Sequence, residues 1–253
     1  MTTFPDYPPG RGLLAGKTVL VTAAAGTGIG FATAKRCVEE GARVAITDIH
    51  ARRLAESASE LGAHAVLANV TAQDDVERCF SDVIAAFGHI DVLVNNAGLG
   101  GTARLAEMTD EQWHSVLDVT LTGTMRMTRA ALRHMSERGE GVIVNNASVV
   151  GWRAQEGQSH YAAAKAGVMA LTRCAAIEAA ESGVRVNAVA PSLAMHPHLA
   201  RVTTDELLAE LTTREAFGRA AEPWEVANVI VFLASDLASY MTGEVISVSS
   251  QHP

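Results

Sequence analysis

Short apolar runs rich in β-branched residues alternate with longer amphipathic runs about seven times along this 253-residue chain. The apolar runs, such as KTVLVT at 17–22 and RVAITD at 43–48, are typical of buried parallel strands. The run between these two follows a helical pattern and ends at Gly41, a residue type that commonly closes helices. Alternation of this kind predicts an α/β fold, in which helices cover both faces of one doubly wound, seven-stranded parallel sheet.

The turn after the first strand reads AAAGTGIG over residues 23–30 and leads directly into a helix. Glycines let a backbone approach a pyrophosphate closely, and a helix N-terminus supplies free N–H groups and a positive dipole end. Asp48 ends the second strand 20 residues after Gly28, the spacing of a carboxylate that grips an adenosine ribose. This βαβ unit therefore predicts a Rossmann-like, dinucleotide-binding fold. The candidate cofactor contacts in it are Ala24, Thr27, Gly28, Ile29, Asp48 and Ile49.

Asp48 also bears on which dinucleotide binds. A carboxylate accepts a hydrogen bond from a ribose 2′-hydroxyl and repels a 2′-phosphate, which favours NAD over NADP. Arg52 and Arg53 follow at the start of the next helix. They leave NADP as the less favoured alternative, although a solvated helix face accounts for them equally simply.

Ser148, Tyr161 and Lys165 stand close together in the stretch from 145 to 167. Tyr161 and Lys165 are four residues apart in an Ala-rich helical segment, so they share one face of the helix. A cation beside a phenol lowers the pKa of the phenol and makes it a base near neutral pH. Ser148 ends the strand-like run GVIVNNAS and can offer its hydroxyl to the same reacting oxygen. Taken singly, Ser148 also suits a strand cap, and Tyr161 with Lys165 suits a surface pair.

The motifs GTGIG, NNAG at 95–98, Ser148 and YAAAK at 161–165 together resemble those of the short-chain dehydrogenases/reductases, over nearly the whole chain. The resemblance implies that Tyr161 is the general acid/base and that Ser148 binds the substrate oxygen. It implies that Lys165 lowers the pKa of Tyr161 and holds the nicotinamide ribose, so both residues also contact the cofactor. The further cofactor contacts that it implies are Asn69, Val70, Asn96, Ala97, Gly98, Pro191 and Ala194.

The chain departs from the family pattern in four places. The first turn is one residue longer, with an alanine at its first glycine. Thr120 takes the position of an asparagine that supports a water chain to the lysine, so Thr120 is a catalytic candidate that holds a rearranged water. Pro191–Ser192 replaces a Pro–Gly pair, and His196 takes the position of a threonine that contacts the carboxamide. Ser249–Ser250 replaces a glycine pair near the end of the chain.

Further stretches, among them NNASVVGWRAQ and TGEVISVSSQHP, resemble a branch of the family that oxidises a ring hydroxyl of bicyclic, steroid-derived coenzyme A thioesters. The resemblance implies a small-molecule substrate of that class and a homo-oligomer, either a dimer or a tetramer. Trp152, Met195 and His196 are candidate substrate contacts, with simple packing the alternative for the first two. Residues 192–216 are expected to form a mobile lid. A 3-oxoacyl-thioester reductase that uses NADPH and a non-catalytic NAD-binding protein remain alternatives.

Composition limits the kinds of partner and the cellular compartment that suit this protein. The net charge of −8 argues against a nucleic acid or an anionic membrane as partner. No apolar run reaches the roughly 18 residues that span a bilayer. Cys37, Cys79 and Cys174 suit buried free thiols of a reducing compartment, and no ligand spacing indicates a metal site. Residues 1–12 lack the apolar core of a signal peptide, so we expect a flexible arm before one cytoplasmic domain over 13–253.

Overall fold

The computed structural model describes residues 5–195 and 205–250. Seven parallel strands form one sheet in the order β3-β2-β1-β4-β5-β6-β7. The strands are β1 Thr18–Thr22, β2 Arg43–Asp48, β3 His64–Leu67, β4 Val92–Asn95, β5 Gly141–Asn146, β6 Val184–Pro191 and β7 Val245–Val248. The doubly wound, Rossmann-like sheet predicted from the alternating runs is confirmed.

Helices pack on both faces of this sheet. One buried apolar cluster lies under α1, α2 and α8, and the other lies under α3, α5 and α6. The helices are α1 Ile29–Glu39, α2 Ala51–Leu61, α3 Gln73–Phe87, α4 Asp110–Leu117, α5 Gly123–Arg138, α6 Ser159–Ala179, α7 Asp205–Arg214 and α8 Pro223–Ala234. The central strands are thus covered on both faces, which accounts for their apolar character.

The order of the strands reverses between β1 and β4. Val21 of β1 is in register with Ile46 of β2 on one side and with Val94 of β4 on the other. In an open parallel sheet, ligands bind beyond the carboxyl ends of the strands at such a reversal. The segments 23–30 and 95–98 both follow strands at this point, so the topology brings them to one crevice.

The helical segment from 110 to 138 is interrupted by a π-helical turn. α4 begins after a capping box formed by Thr109 and Gln112, and residues Asp118–Thr122 form the π-helical turn that leads into α5. Turns of this kind contain one extra residue and occur often at functional sites. The turn contains the fully buried Thr120, so the change in helical pitch coincides with one of the predicted catalytic positions.

Residues 5–12, expected to belong to a flexible arm, are held against α1. The Arg36 guanidinium donates to Pro8 O at 2.6 Å and to Glu40 Oε1 at 2.7 Å. The Glu40 carboxylate also accepts the Leu13 N–H at 3.0 Å, and its side chain is 0% exposed. Burial acts to raise the pKa of Glu40, but the backbone N–H groups and Arg36 outweigh it and hold that pKa below its usual value. Sequence periodicity gives no sign of this contact because the arm has no regular pattern.

One of the three cysteines differs from the expectation of buried free thiols. Cys37 and Cys79 are buried free thiols, and burial raises the pKa of each to about 12. Cys174 is instead exposed, on the solvent side of α6.

In the described ranges, no helix is both long and apolar enough to cross a membrane. The same ranges contain no group of three or more His, Cys, Asp or Glu side chains that suits a metal ion.

Candidate active site

The N–H groups at the start of the first turn are bonded within the protein. The Ala24 N–H donates to Thr47 O at 3.2 Å, and the Gly26 N–H donates to Ser57 Oγ at 3.1 Å. Ala24 is also fully buried. Its N–H is therefore directed at β2 rather than at a ligand, although Ala24 was a predicted cofactor contact. Ser57, on α2, had no sequence signal that joined it to the turn.

The N-terminus of α1 carries the groups that suit a pyrophosphate. The helix begins at Ile29 with Gly28 as its N-cap, and Thr27 before it is exposed. The Ala32 N–H bonds Gly28 O, so the preceding N–H groups of the first turn have no intrahelical acceptor. A Cβ at Gly30 would lie 2.5 Å from Ala23 O, so only glycine allows this tight turn. A glycine turn that leads into a helix N-terminus fits the phosphates of a dinucleotide.

Asp48 lies at the end of β2 and beside this turn. Its Oδ2 accepts the Ala25 N–H at 3.2 Å, and its Oδ1 accepts the His50 N–H at 3.0 Å. Burial raises the pKa of Asp48, against the hydrogen bond from Ala25 and the charge of Arg53. The neighbouring Ile49 is 61% exposed, so the edge of the crevice is open at this point. A carboxylate placed here is in position to meet an adenosine ribose.

Asn69 and Val70 follow β3 at the same edge of the sheet. The Asn69 side chain accepts the Thr71 N–H at 3.0 Å and so shapes the turn after the strand. Val70 is buried, and a Cβ at Gly123 would lie 2.7 Å from its Cγ2. Both residues thus lie at the carboxyl ends of the strands, with Val70 packed against the start of α5.

Asn96 ties the end of β4 to the first turn. Its Nδ2 donates to Thr22 O and to Ala23 O, each at 3.1 Å. The N–H groups of Asn96 and Ala97 both donate to Thr22 Oγ1 at 2.9 Å. The two loops that were predicted to line the cofactor are therefore fixed to one another.

Ser148 and Tyr161 meet at the end of β5. Ser148 directly precedes a short 3-10 turn, Val149–Gly151, and its Oγ accepts the Val150 N–H at 3.3 Å. The Ser148 hydroxyl lies close enough to the Tyr161 phenol to act on the pKa of that phenol. Tyr161 and Lys165 lie one turn apart on α6, as their spacing predicted. Two hydroxyls are therefore positioned to meet one substrate oxygen.

The pKa of Tyr161 differs from the sequence-based expectation. Burial raises it, and the hydrogen bond with Ser148 acts in the opposite direction. The Lys165 Nζ lies 5.5 Å from the centroid of the Tyr161 ring and donates to Asn146 O at 2.6 Å. Burial also lowers the pKa of Lys165 to about 8. Lys165 alone therefore does not bring the phenol below its ordinary pKa, because the desolvation of both groups opposes their attraction.

Thr120, whose predicted role is to hold a water near Lys165, bonds the backbone of Leu99. Its Oγ1 accepts the Leu99 N–H at 2.9 Å and donates to Leu99 O at 3.1 Å. A hydroxyl has a single proton, and here Leu99 takes it. A Cβ at Gly98 would lie 3.5 Å from Lys165 Nζ and 3.8 Å from Thr120 Oγ1. Thr120 therefore fixes the loop after β4 beside the lysine.

Two residues flank Ser148: Trp152, an expected substrate contact, and Pro191 at the end of β6. Trp152 is 43% exposed at the end of the 3-10 turn that Ser148 begins. Pro191 ends β6, and its carbonyl accepts a hydrogen bond from the Ser148 hydroxyl at 3.5 Å. Trp152 therefore presents an apolar surface to solvent only four residues after Ser148.

The start of the predicted lid is anchored. Residue Ala194 forms an isolated parallel bridge with Ala221, and the Met195 N–H donates to Ala221 O at 2.9 Å. The segment 192–216, expected to form a mobile lid, is thus paired with the chain at Ala194. The predicted contact His196 lies outside the described residues.

The sequence matches one family model over residues 23–250, and the description of that model is enoyl-(acyl carrier protein) reductase. The chain belongs to the short-chain dehydrogenase/reductase family, as its motifs indicated. It is therefore an oxidoreductase that acts on a hydroxyl or keto substrate with a nicotinamide cofactor. The expectation of an enzyme, rather than a non-catalytic binding protein, is confirmed.

The chain is also similar to individual proteins over nearly its whole length. The chain is 60% identical to the (5R,7aS)-5-hydroxy-7a-methyl-1-oxo-2,3,5,6,7,7a-hexahydro-1H-indene-carboxyl-CoA reductase of Mycobacterium tuberculosis, over 100% of this chain and 99% of the relative. It is 43% identical to the cis-4-hydroxycyclohexanecarboxylate dehydrogenase of Sinomonas cyclohexanicum, over 91% of this chain and 94% of the relative. The crystal structure of a short chain dehydrogenase from Mycobacterium smegmatis matches with a TM-score of 0.88 and 57% identity, over 98% of each chain.

Proposed function

We propose that this protein interconverts a ring hydroxyl and a ring ketone on a bicyclic, steroid-derived coenzyme A thioester, with NAD as its cofactor. The observation that carries the chemistry is the meeting of the Ser148 and Tyr161 hydroxyls at the end of β5, one helical turn from Lys165. The substrate class is supported by the 60% identity to a reductase of a hydroxy-, oxo- and methyl-substituted hexahydroindene carboxyl-CoA. Assembly into a dimer or tetramer and location in the cytoplasm stay predictions.

In the oxidative direction, Tyr161 as the phenolate takes the proton of the substrate hydroxyl while Ser148 donates a hydrogen bond to the same oxygen. The dinucleotide, when bound, supplies the hydride acceptor for the carbinol carbon and a positive charge beside the phenolate. Lys165 adds a second positive charge. The carbinol C–H and O–H bonds are replaced by a C=O double bond. Because burial raises the pKa of Tyr161, the phenolate depends on Ser148 and on these charges.

The crevice offers a place for each part of the dinucleotide. We assign the pyrophosphate to the first turn of α1, the adenosine ribose to Asp48, and the nicotinamide ribose to Lys165 and Tyr161. The remaining proposed contacts are Thr27, Gly28, Ile29, Ile49, Asn69, Val70, Asn96, Ala97, Gly98, Pro191 and Ala194. The close approach that Gly30 permits and the free first-turn N–H groups of α1 support this assignment.

A panel of thioesters tests the substrate class. We expect the kcat/KM for a bicyclic hydroxyindane carboxyl-CoA with NAD to exceed that for straight-chain 3-hydroxyacyl-CoA by at least about 100-fold, because a site shaped for a ring system loses contacts to a flexible chain. Measurement of both substrates with NAD and with NADP completes the set. A preference for 3-oxoacyl thioesters with NADPH would establish the fatty-acyl reductase instead.

Replacement of Asp48 tests the choice of cofactor. We expect Asp48→Ala to weaken NAD binding by about tenfold or more, because a hydrogen bond to a charged group is lost, and to improve NADP binding. Titration of the wild type and the variant with both dinucleotides measures the two dissociation constants. Asp82→Ala, which removes an exposed carboxylate on α3, is the matched control and should bind both as the wild type does. Tighter binding of NADP than NAD by the wild type contradicts the assignment.

A further inference from the structure

β4 and β5 end in two asparagines each, and the two pairs lie side by side. Asn95 is in register with Asn145, and Asn95 Nδ2 donates to Asn145 Oδ1 at 2.9 Å. One residue further along, Asn146 Nδ2 donates to Asn96 Oδ1 at 3.0 Å. Because successive side chains of a strand point to opposite faces, the first pair faces α5 and α6 and the second faces the first turn.

The second pair links the first turn to Lys165 through side-chain hydrogen bonds and the main chain of Asn146. Asn96 Nδ2 donates to Thr22 O and Ala23 O, which leaves Asn96 Oδ1 to accept from Asn146 Nδ2. The main-chain O of Asn146 accepts the Lys165 Nζ at 2.6 Å.

Both ends of this run need restraint. Ala23 has a φ of 51°, in the left-handed region that disfavours side chains other than glycine. Such backbone persists only where its surroundings hold it, and here Asn96 holds the Ala23 carbonyl. At the other end, the Lys165 side chain is buried, so the Asn146 carbonyl replaces part of its hydration.

The Asn146 side chain is not explained by stability alone. Its Nδ2 is bonded to Asn96, but its Oδ1 is buried and has no hydrogen-bond partner among the described residues. A buried, unpaired acceptor destabilises a fold, and an apolar residue of similar volume would avoid that loss. The hydrogen bond that the amide donates to Asn96, toward the first turn, therefore accounts for its presence.

We propose that Asn146 is a positioning residue that fixes the Lys165 ammonium through its main-chain carbonyl and couples that carbonyl to the cofactor turn through its side-chain amide. This inference rests on the proposed function, which places Lys165 beside the reacting groups. Asn146 acts through Lys165 and Asn96 and has no role as an acid or base. Loss of the amide releases the end of β5 and the restraint on Ala23 together.

The test is Asn146→Leu, which removes both amide atoms at similar volume. We expect the acidic limb of the kcat profile for alcohol oxidation to move up by about one pH unit, because a displaced ammonium stabilises the Tyr161 phenolate less. Turnover at pH 7 then falls by about tenfold and recovers as the pH rises. The KM for NAD is expected to rise at the same time, because the turn has lost its restraint.

The control is Asn187→Leu, in another buried asparagine. Asn187 lies on β6, where its Nδ2 donates to Met241 O at 2.8 Å and its Oδ1 accepts the Glu244 N–H at 3.0 Å, both in the segment before β7. We expect this variant to lower the melting temperature without moving the pH profile. A purely structural role for Asn146 predicts the same result for Asn146→Leu, and that result overturns the inference.

A milder substitution tests the same inference if Asn146→Leu does not fold. If Asn146→Leu does not fold, Asn146→Ser is measured, and an unmoved pH profile overturns the inference in the same way. The proposed function is judged separately, by turnover of the wild type and of Asn187→Leu with the bicyclic thioester. Normal turnover in both, with an unmoved profile in the Asn146 variant, contradicts this inference alone.

Discussion

Tyr161→Phe is expected to lower kcat by about 10²–10⁴-fold, the range that a positioned general acid/base contributes. The variant keeps the aromatic ring and its packing but loses the oxygen that takes the substrate proton. The ring still lies beside Lys165, and the first turn of α1 is untouched, so the dissociation constant of NAD should change by less than about threefold, within the effect of one lost neutral hydrogen bond.

Three measurements make this result decisive. Steady-state turnover of the bicyclic thioester, titration with NAD and the melting temperature separate chemistry, binding and folding. Tyr240→Phe is the matched control, since Tyr240 is fully exposed, and it should behave as the wild type in all three. Retained turnover in Tyr161→Phe would remove Tyr161 from the mechanism, whatever the outcome for Asn146.

Lys165→Met is expected to abolish measurable turnover and yet to stabilise the fold at pH 7. Burial lowers the pKa of Lys165 from 10.5 to about 8, which corresponds to about 3 kcal/mol at ~1.4 kcal/mol per unit. The loss of its hydrogen bond leaves the Asn146 carbonyl unpaired, which costs about 1–3 kcal/mol. The expected net gain in the free energy of unfolding is therefore up to about 2 kcal/mol.

The sign of the pH dependence follows from the same shift. Between about pH 8 and 10.5 the unfolded chain holds the Lys165 proton and the folded chain does not, so the stability of the wild type rises with pH across that window. Below pH 8 the full penalty for the buried ammonium is present. The advantage of Lys165→Met should therefore be largest at pH 7 and disappear toward pH 10.

Urea unfolding of both proteins at pH 7 and at pH 10 measures this difference. Lys35→Met replaces an exposed lysine on α1 and should show no such convergence. A Lys165→Met protein that is less stable than the wild type at pH 7, with an unchanged difference at pH 10, would mean that the ammonium is not desolvated. A buried charge that stays where it lowers stability is consistent with selection for activity.

Several features of the fold and site follow from local patterns. Strand and helix periods predicted the doubly wound sheet, and the helix start at Ile29 followed from the glycine turn before it. The spacing of four residues placed Tyr161 and Lys165 on one face of α6. These inferences hold because helical and strand geometry relate residues that are close in the chain.

The errors arose where an outcome depended on burial or on distant contacts. The pKa of Tyr161 was expected to be lowered by Lys165, but burial raises it, and the extent of burial is not a property of a short segment. The bonds of the Thr120 hydroxyl to the Leu99 backbone, 21 residues away in sequence, also had no sequence signal, and its role in holding a water stays a prediction. Arg36 and Glu40 gave no sign that they clamp the N-terminal segment.

The sequence by itself determined the class of fold, the family, and the positions of Ser148, Tyr161 and Lys165, because each depends on periods and spacings within a few turns of chain. Only the tertiary structure decided what each of these groups touches. Asn146 meets Asn96 because β4 and β5 become neighbours in the sheet, and Lys165 meets Asn146 because α6 crosses the end of β5. Strand order and desolvation set these contacts, and both arise only when segments far apart in the chain pack together.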